Sequence, residues 1–244
     1  ADLIIGADPS TLIRSCNVKR TLAFEPPARC DAQWFEHTPE GVREASATAY
    51  MFARKLYEVL KVPVGIINVS WGGSRIEAWM KEDLLRKDFA EIDMSHIDSK
   101  VMPAVSPFKS ASVLYNGMLY SVAPFTAKGF IWYQGCSNRH DPEQYVRLQP
   151  AFVQMLRQMW GSEDMGFYFT QIAPYQYPSD PTGRGGAEVM WAQARTLPLI
   201  PKSAMATTLD AGERHCIHPA NKKVVGDRLA YLALSMDYGF DAVN

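Results

Sequence analysis

The sequence predicts an α/β protein, a three-layer α/β/α sandwich with a mostly parallel sheet. Two observations carry this. Short β-branched or aromatic apolar runs alternate with longer segments whose apolar residues recur at helical spacing. Several of the short runs end in polar, glycine-containing turns, where open α/β sheets place their chemistry.

The elements run in order. Leu12 to Val18 reads as a strand, and Glu25-Pro26-Pro27 separates it from the next segment. Trp34 and Phe35 read as packing residues. Residues 41–60 form an amphipathic helix with Val42, Ala45, Ala49, Phe52, Ala53, Leu56 and Leu60 on one stripe. Val64 to Val69 is a strand covered on both faces, ending in Trp71-Gly72-Gly73-Ser74. Glu77 to Leu85 is helical. Residues 86–112, with Pro103 and Pro107, are a surface loop. Ala127 to Tyr133 is the central strand, running into Gln134-Gly135-Cys136-Ser137-Asn138. Residues 143–160 are helical, with Pro150 expected to divide them. Gly166 to Ile172 is a strand, 174–187 a loop, Val189 to Leu197 a short helix, and Ala204 to Leu209 a strand. Pro219 to Met236 is the last helix.

A length of 244 residues favours one domain over two, and a hydrophobic fraction of 47% supplies a full core. A net charge of -1 leaves no electrostatic footprint for nucleic acid or an anionic membrane. No apolar run reaches the roughly 18 residues of a membrane span. Residues Ala1 to Gly6 read as the interior of a longer polypeptide. Upstream sequence is therefore expected, and a trimmed C-terminal region is expected after Asn244 on similar grounds. There is no G-x-S-x-G elbow, P-loop or H-E-x-x-H.

Three turns remain as candidates for chemistry. His218, in a turn held by Pro219, suits a general base near neutral pH, against the plainer role of capping a helix. Gly73 offers a backbone N–H and Asn138 a side-chain amide, the two kinds of donor an oxyanion hole uses. Taken singly, they also fit a helix-entry glycine and a turn asparagine.

Here the residues carry a resemblance. Gly65 to Val69 with Ser70-Trp71-Gly72-Gly73-Ser74-Arg75-Ile76-Glu77-Ala78-Trp79-Met80 resembles a tryptophan-rich signature of the sialate O-acetylesterases. Tyr115-Asn116-Gly117-Met118 and Gly129 to Gly135 are similar to a second signature. Ile217-His218-Pro219, Asn221-Lys222, Val225-Gly226 and Arg228-Leu229 are similar to a third. The matches keep their order over roughly residues 40–239, and that family is a branch of the SGNH hydrolases, so the resemblance implies a flavodoxin-like α/β/α sandwich.

The resemblance implies an esterase that releases acetate from an O-acetylated sugar, most readily sialic acid, through a serine acyl-enzyme. No metal and no organic cofactor is implied, and the expected setting is secreted or periplasmic. It assigns Gly73 (or Gly72) and Asn138 to the oxyanion hole and His218 to the base. The family's nucleophile lies in a Gly-Gln-Ser-Asn-Met motif upstream of the region that residues 1–40 resemble. No such motif occurs here, so residues 1–244 read as one SGNH-type domain without its nucleophile segment. Ser74 and Ser137 are poor substitutes, because they occupy oxyanion-turn positions.

Cys136 and Cys216 stand where relatives carry carboxylates. This implies a Cys136–Cys216 disulfide joining two turns; a metal site from Cys136, His140, Cys216 and His218 is the weaker alternative. Cys16 and Cys30 are a second candidate pair, against two free thiols. The triad acid is then Asp210, or a backbone carbonyl steering a Ser–His dyad. Arg75, Gln134 and Trp71 are candidate substrate contacts, with Arg75 otherwise paired to Glu77. Tyr175 and Tyr177 suit sugar stacking, and Trp191 suits packing. The rival functions are an acetylxylan-type deacetylase and a non-catalytic glycan-binding domain.

Overall fold

The computed structural model describes residues 7–8, 11–123 and 125–241. The expectations for Ala1 to Gly6 and for the last residues from Ala242 fall outside them. Among the described residues six strands form: β1 (Ile13–Val18), β2 (Ala32–Glu36), β3 (Val64–Asn68), β4 (Gly129–Trp132), β5 (Gly166–Thr170) and β6 (Ser203–Ala206). The longer helices are α1 (Ala47–Leu60), α2 (Glu82–Asp88), α3 (Ser95–Ser99), α4 (Pro142–Trp160), α5 (Arg184–Thr196) and α6 (Lys222–Tyr238).

Hydrogen bonding joins the strands into two three-stranded sheets, in the orders β2-β1-β3 and β4-β5-β6. All pairings are parallel except β1 with β2. Among the described residues, β3 and β4 therefore each keep one unpaired edge. The turns after β3 and β4 are hydrogen-bonded to one another.

The side-chain period of two sorts the strand residues into two cores. Phe130, Trp132, Phe167 and Phe169 pack on one side with Leu148, Phe152 and Val189 of α4 and α5. Ile131, Tyr133 and Tyr168 pack on the other side with Leu56 of α1 and Val225, Leu229 and Ala233 of α6. The result is a three-layer α/β/α sandwich. Phe167 and Phe169 are fully buried, each contributing about 1.5–3 kcal/mol of transfer free energy.

Local chemistry sets the helix limits. Asp141 accepts from the Gln144 N–H and Pro142 starts α4, while Gly161, at φ 64°, ends it. Asn221 caps α6, and Gly239 closes it at φ 71°.

Several expectations are corrected. The helix over 41–60 is divided, because Ala45 is extended and Ser46 caps a new helix by accepting from the Ala49 N–H. Pro150 does not divide α4. The buried stripe of Tyr145, Leu148, Phe152 and Leu156 outweighs the one missing backbone bond, a loss of about 3 kcal/mol. Trp34 lies 44% exposed on β2 and Trp191 66% exposed on α5, so neither packs inside. No helix among the described residues is long and apolar enough to cross a membrane.

The α1–α6 crossing depends on Gly226. A Cβ there would stand 2.4 Å from the Met51 Cβ and 2.8 Å from both the Thr48 carbonyl oxygen and the Phe52 nitrogen. Gly226→Ala is expected to destabilise the fold by about 1–3 kcal/mol through overpacking, despite its better helix propensity. Urea unfolding measures this, and an unchanged midpoint would contradict the close approach.

Candidate active site

The turns after β3 and β4 form one hydrogen-bonded unit. Gly135, at φ 151°, lets the chain turn out of β4 where a Cβ would come within 2.8 Å of Ile172. The following 3-10 turn, Cys136–Asn138, directs the Asn138 side chain inward, where it is 6% exposed. Its Oδ1 accepts from the Ile76 N–H at 3.1 Å and from Gln134 Nε2 at 2.8 Å. Its Nδ2 donates to Glu77 Oε2 at 2.9 Å. Gln134 Nε2 also donates to the Ser74 carbonyl at 3.0 Å. The Ser137 hydroxyl donates to the Gly73 carbonyl at 2.7 Å.

Gly73 sits at φ 79° on the exposed side of this unit, with Phe108 3.4 Å from the position a Cβ would take. Its N–H bonds to no described residue. A backbone N–H of an exposed glycine and a buried amide with one N–H remaining are thus supplied by adjoining turns. Both could serve an oxyanion. Ser74 is 5% exposed, and its hydroxyl accepts from Trp79 Nε1 at 2.9 Å. It is held as part of the scaffold.

The surrounding candidates divide. Trp71 stacks on Phe108 at 5.6 Å and 13°, with the Arg20 guanidinium 5.9 Å above the indole. This aromatic shelf stands beside Gly73. Arg75 faces Glu77 at 3.6 Å. Gln134 is engaged inside, since its Oε1 also accepts from the Tyr145 hydroxyl at 3.2 Å and its backbone carbonyl from Gln193 Nε2 at 2.9 Å. Its neighbours leave it the role of a strut between the turns. Tyr177 is 4% exposed and carries the Arg139 guanidinium 4.4 Å over its ring. Sequence reasoning missed the strut role of Gln134 and the involvement of Gln193. A polar residue directly after an apolar strand was the available signal for the first, and none marked the second.

His218 lies in an exposed loop before α6. Its ring makes no hydrogen bond to a described residue. The loop is closed by the Cys216 N–H donating to the Glu213 carbonyl at 3.3 Å and the Ala220 N–H donating to Glu213 Oε1 at 2.9 Å. Lys222 ties the loop to the end of β4, with its ammonium 5.8 Å over the Tyr133 ring. Burial lowers the Lys222 pKa and raises that of Tyr133 to about 12.

Asp210 grips Arg228 with both carboxylate oxygens, at 2.7 and 2.6 Å, and makes no hydrogen bond to His218. All four cysteines are free, so neither the Cys136–Cys216 nor the Cys16–Cys30 bridge is formed. Burial pushes the Cys136 thiol up, while the Cys216 thiol donates to the His218 carbonyl at 3.2 Å. No cluster of metal-ligating side chains exists among the described residues.

Comparison with known proteins matches this arrangement to one family. The family described as "carbohydrate esterase, sialic acid-specific acetylesterase" matches residues 8–235. Sialate O-acetylesterases of Homo sapiens and Pongo abelii are each 30% identical over 230 residues, covering 86% of this chain and 43% of theirs. The chain thus spans less than half the length of these relatives. A crystal structure of a carbohydrate acetylesterase from Xanthomonas citri superposes with a TM-score of 0.83 at 30% identity, over 97% of this chain and 52% of that one. An Arabidopsis thaliana protein, 16% identical with a TM-score of 0.55, shares the fold. The chain belongs to the carbohydrate esterase family of sialic acid-specific acetylesterases.

Proposed function

We propose that this chain belongs to a carbohydrate O-acetylesterase that releases acetate from O-acetylated sialic acid in a secreted or periplasmic setting. The observation that carries the reading is that the Gly73 N–H and the Asn138 amide stand on turns hydrogen-bonded to one another. Family membership supports ester hydrolysis, and the Trp71–Phe108 shelf beside Gly73 suits the apolar face of a sugar.

The proposed chemistry uses few groups. A serine Oγ attacks the acetyl carbonyl carbon while His218 takes its proton. The Gly73 N–H and the free Asn138 N–H stabilise the oxyanion. The sugar hydroxyl departs with the proton from His218, and water repeats the sequence to release acetate and restore the serine. We assign the serine to a strand from outside residues 1–244 that pairs with the open edges of β3 and β4. His218 then works as a dyad partner. Asp210 is left to hold Arg228, which also donates to the Thr207 carbonyl at 2.7 Å.

In the natural full-length protein, His218→Ala is expected to lower kcat for acetate release by about 10²–10⁴-fold. Undiminished turnover of O-acetylated sialic acid would remove His218 from the mechanism. Turnover confined to acetylated xylan would move the substrate class.

Asp210 gives a separate test. Its hydrogen bonds from Arg228 depress its pKa to about 2. A depressed carboxylate contributes stability above its unfolded pKa of about 3.9, and loses it as pH falls toward the folded value. NMR titration should find the Asp210 carboxyl near the depressed value and back in the ordinary range in Arg228→Met. Ordinary titration in both proteins would contradict the pairing.

A further inference from the structure

Glu77 is a carboxylate only 6% exposed, on the 3-10 turn Ile76–Trp79. An ionised carboxylate is costly to bury unless its oxygens are bonded. Two side-chain groups meet them. Oε2 accepts from Asn138 Nδ2 at 2.9 Å, and Oε1 faces Arg75 Nη1 at 3.6 Å, on a side chain 46% exposed. The tight contact is to the amide, and the guanidinium contact is long and open to solvent.

The amide cannot turn over. Flipping Asn138 would set its NH2 against two donors, the Ile76 N–H and Gln134 Nε2, and its oxygen against the Glu77 carboxylate. In the observed orientation, Glu77 holds one N–H and a single N–H remains.

We propose that Glu77 is a positioning residue for Asn138: its carboxylate anchors one amide N–H and so aims the other at the oxyanion of the acyl-transfer intermediate. This rests on the oxyanion role proposed for Asn138. Catalysis by such donors depends on their being fixed before the charge develops. A carboxylate is a stronger acceptor than a neutral group and polarises the amide it holds. Burial raises the Glu77 pKa, while Asn138 and Arg75 lower it, with the net shift upward. Lowering the pH therefore protonates Glu77 above the ordinary carboxylate range and weakens the anchor.

Two measurements test this. In the natural full-length protein, the Asn138 side-chain amide resonances are followed by NMR from about pH 4 to about pH 8. They are expected to move with a transition above the usual range of glutamate, absent in Glu77→Gln. The titratable groups that interact with Glu77 are Arg75 and Tyr145. Burial raises the Tyr145 pKa and keeps its hydroxyl neutral across that window. An Asn138 amide that ignores Glu77 overturns the proposal.

In the natural full-length protein, Glu77→Ala should lower kcat about tenfold or more with KM within about twofold. Glu77→Gln, which keeps an acceptor, should restore most of kcat. Equal losses in the alanine and glutamine variants, or a rise in KM alone, would reduce Glu77 to a structural role. If the wild-type protein shows no esterase activity, the oxyanion role falls with the function, and the NMR titration then decides the anchor by itself.

Discussion

The carboxamide of Asn138 binds three groups from three places: the backbone of Ile76, the side chain of Gln134 and the carboxylate of Glu77. It is the pin that joins the turn after β3 to the turn after β4. Both turns leave strands that share no ladder, so side chains must do what backbone pairing does elsewhere in the layer. A buried amide satisfied at its oxygen and at one N–H is rigid, because any rotation leaves donors facing donors. That rigidity holds the Gly73 turn, through Ser137, to a turn whose amide has a fixed direction.

The rest of the molecule supports this pin from behind. β5 is buried along its whole length, between β4 and β6, and its alternating side chains feed both cores. Tyr145 of α4 and Gln193 of α5 reach across the layer to Gln134, so two helices brace the strut. Gln193 also meets the Thr170 carbonyl at 3.3 Å and takes the Ile172 N–H on its Oε1, locking the end of β5 to the end of β4. On the opposite face, α1 and α6 come together at Gly226 and carry the His218 loop at the start of α6. The two halves of the candidate chemistry are thus mounted on different layers, and Lys222 over Tyr133 is the contact that relates them.

Much of this was legible in the sequence, for identifiable reasons. The strands β3, β4 and β5 are apolar on both faces, and that pattern has few other meanings. Helices α4 and α6 carry long periodic stripes with capping residues at their starts. β2 was not anticipated, because Gln33, Trp34 and Glu36 alternate too weakly on an exposed antiparallel edge. The division before Ala47 was hidden because Val42 and Ala45 continue the helical stripe, while the deciding event is one serine cap. Trp191 looked like a core residue from its size, yet it faces outward on α5. At the site, Gly73 and Asn138 were visible as residue types, but their partners were not. Glu77 and Gln134 read as surface groups near a cleft, and only the tertiary fold turns them inward. The pairing of Asp210 with Arg228, rather than with His218, depends on which face of α6 meets the end of β6, which no local pattern states.

Asn138 mechanically couples the two turns, and the site is built on that coupling. Amide hydrogen exchange at Ile76 reads it directly, because that N–H has the Asn138 oxygen as its acceptor. The account predicts a protected Ile76 N–H in the native chain. In Asn138→Ala its exchange should quicken about tenfold or more, while the amides of β5 keep their protection. An Ile76 N–H that exchanges freely in the native chain, or one equally protected in the variant, would contradict the coupling.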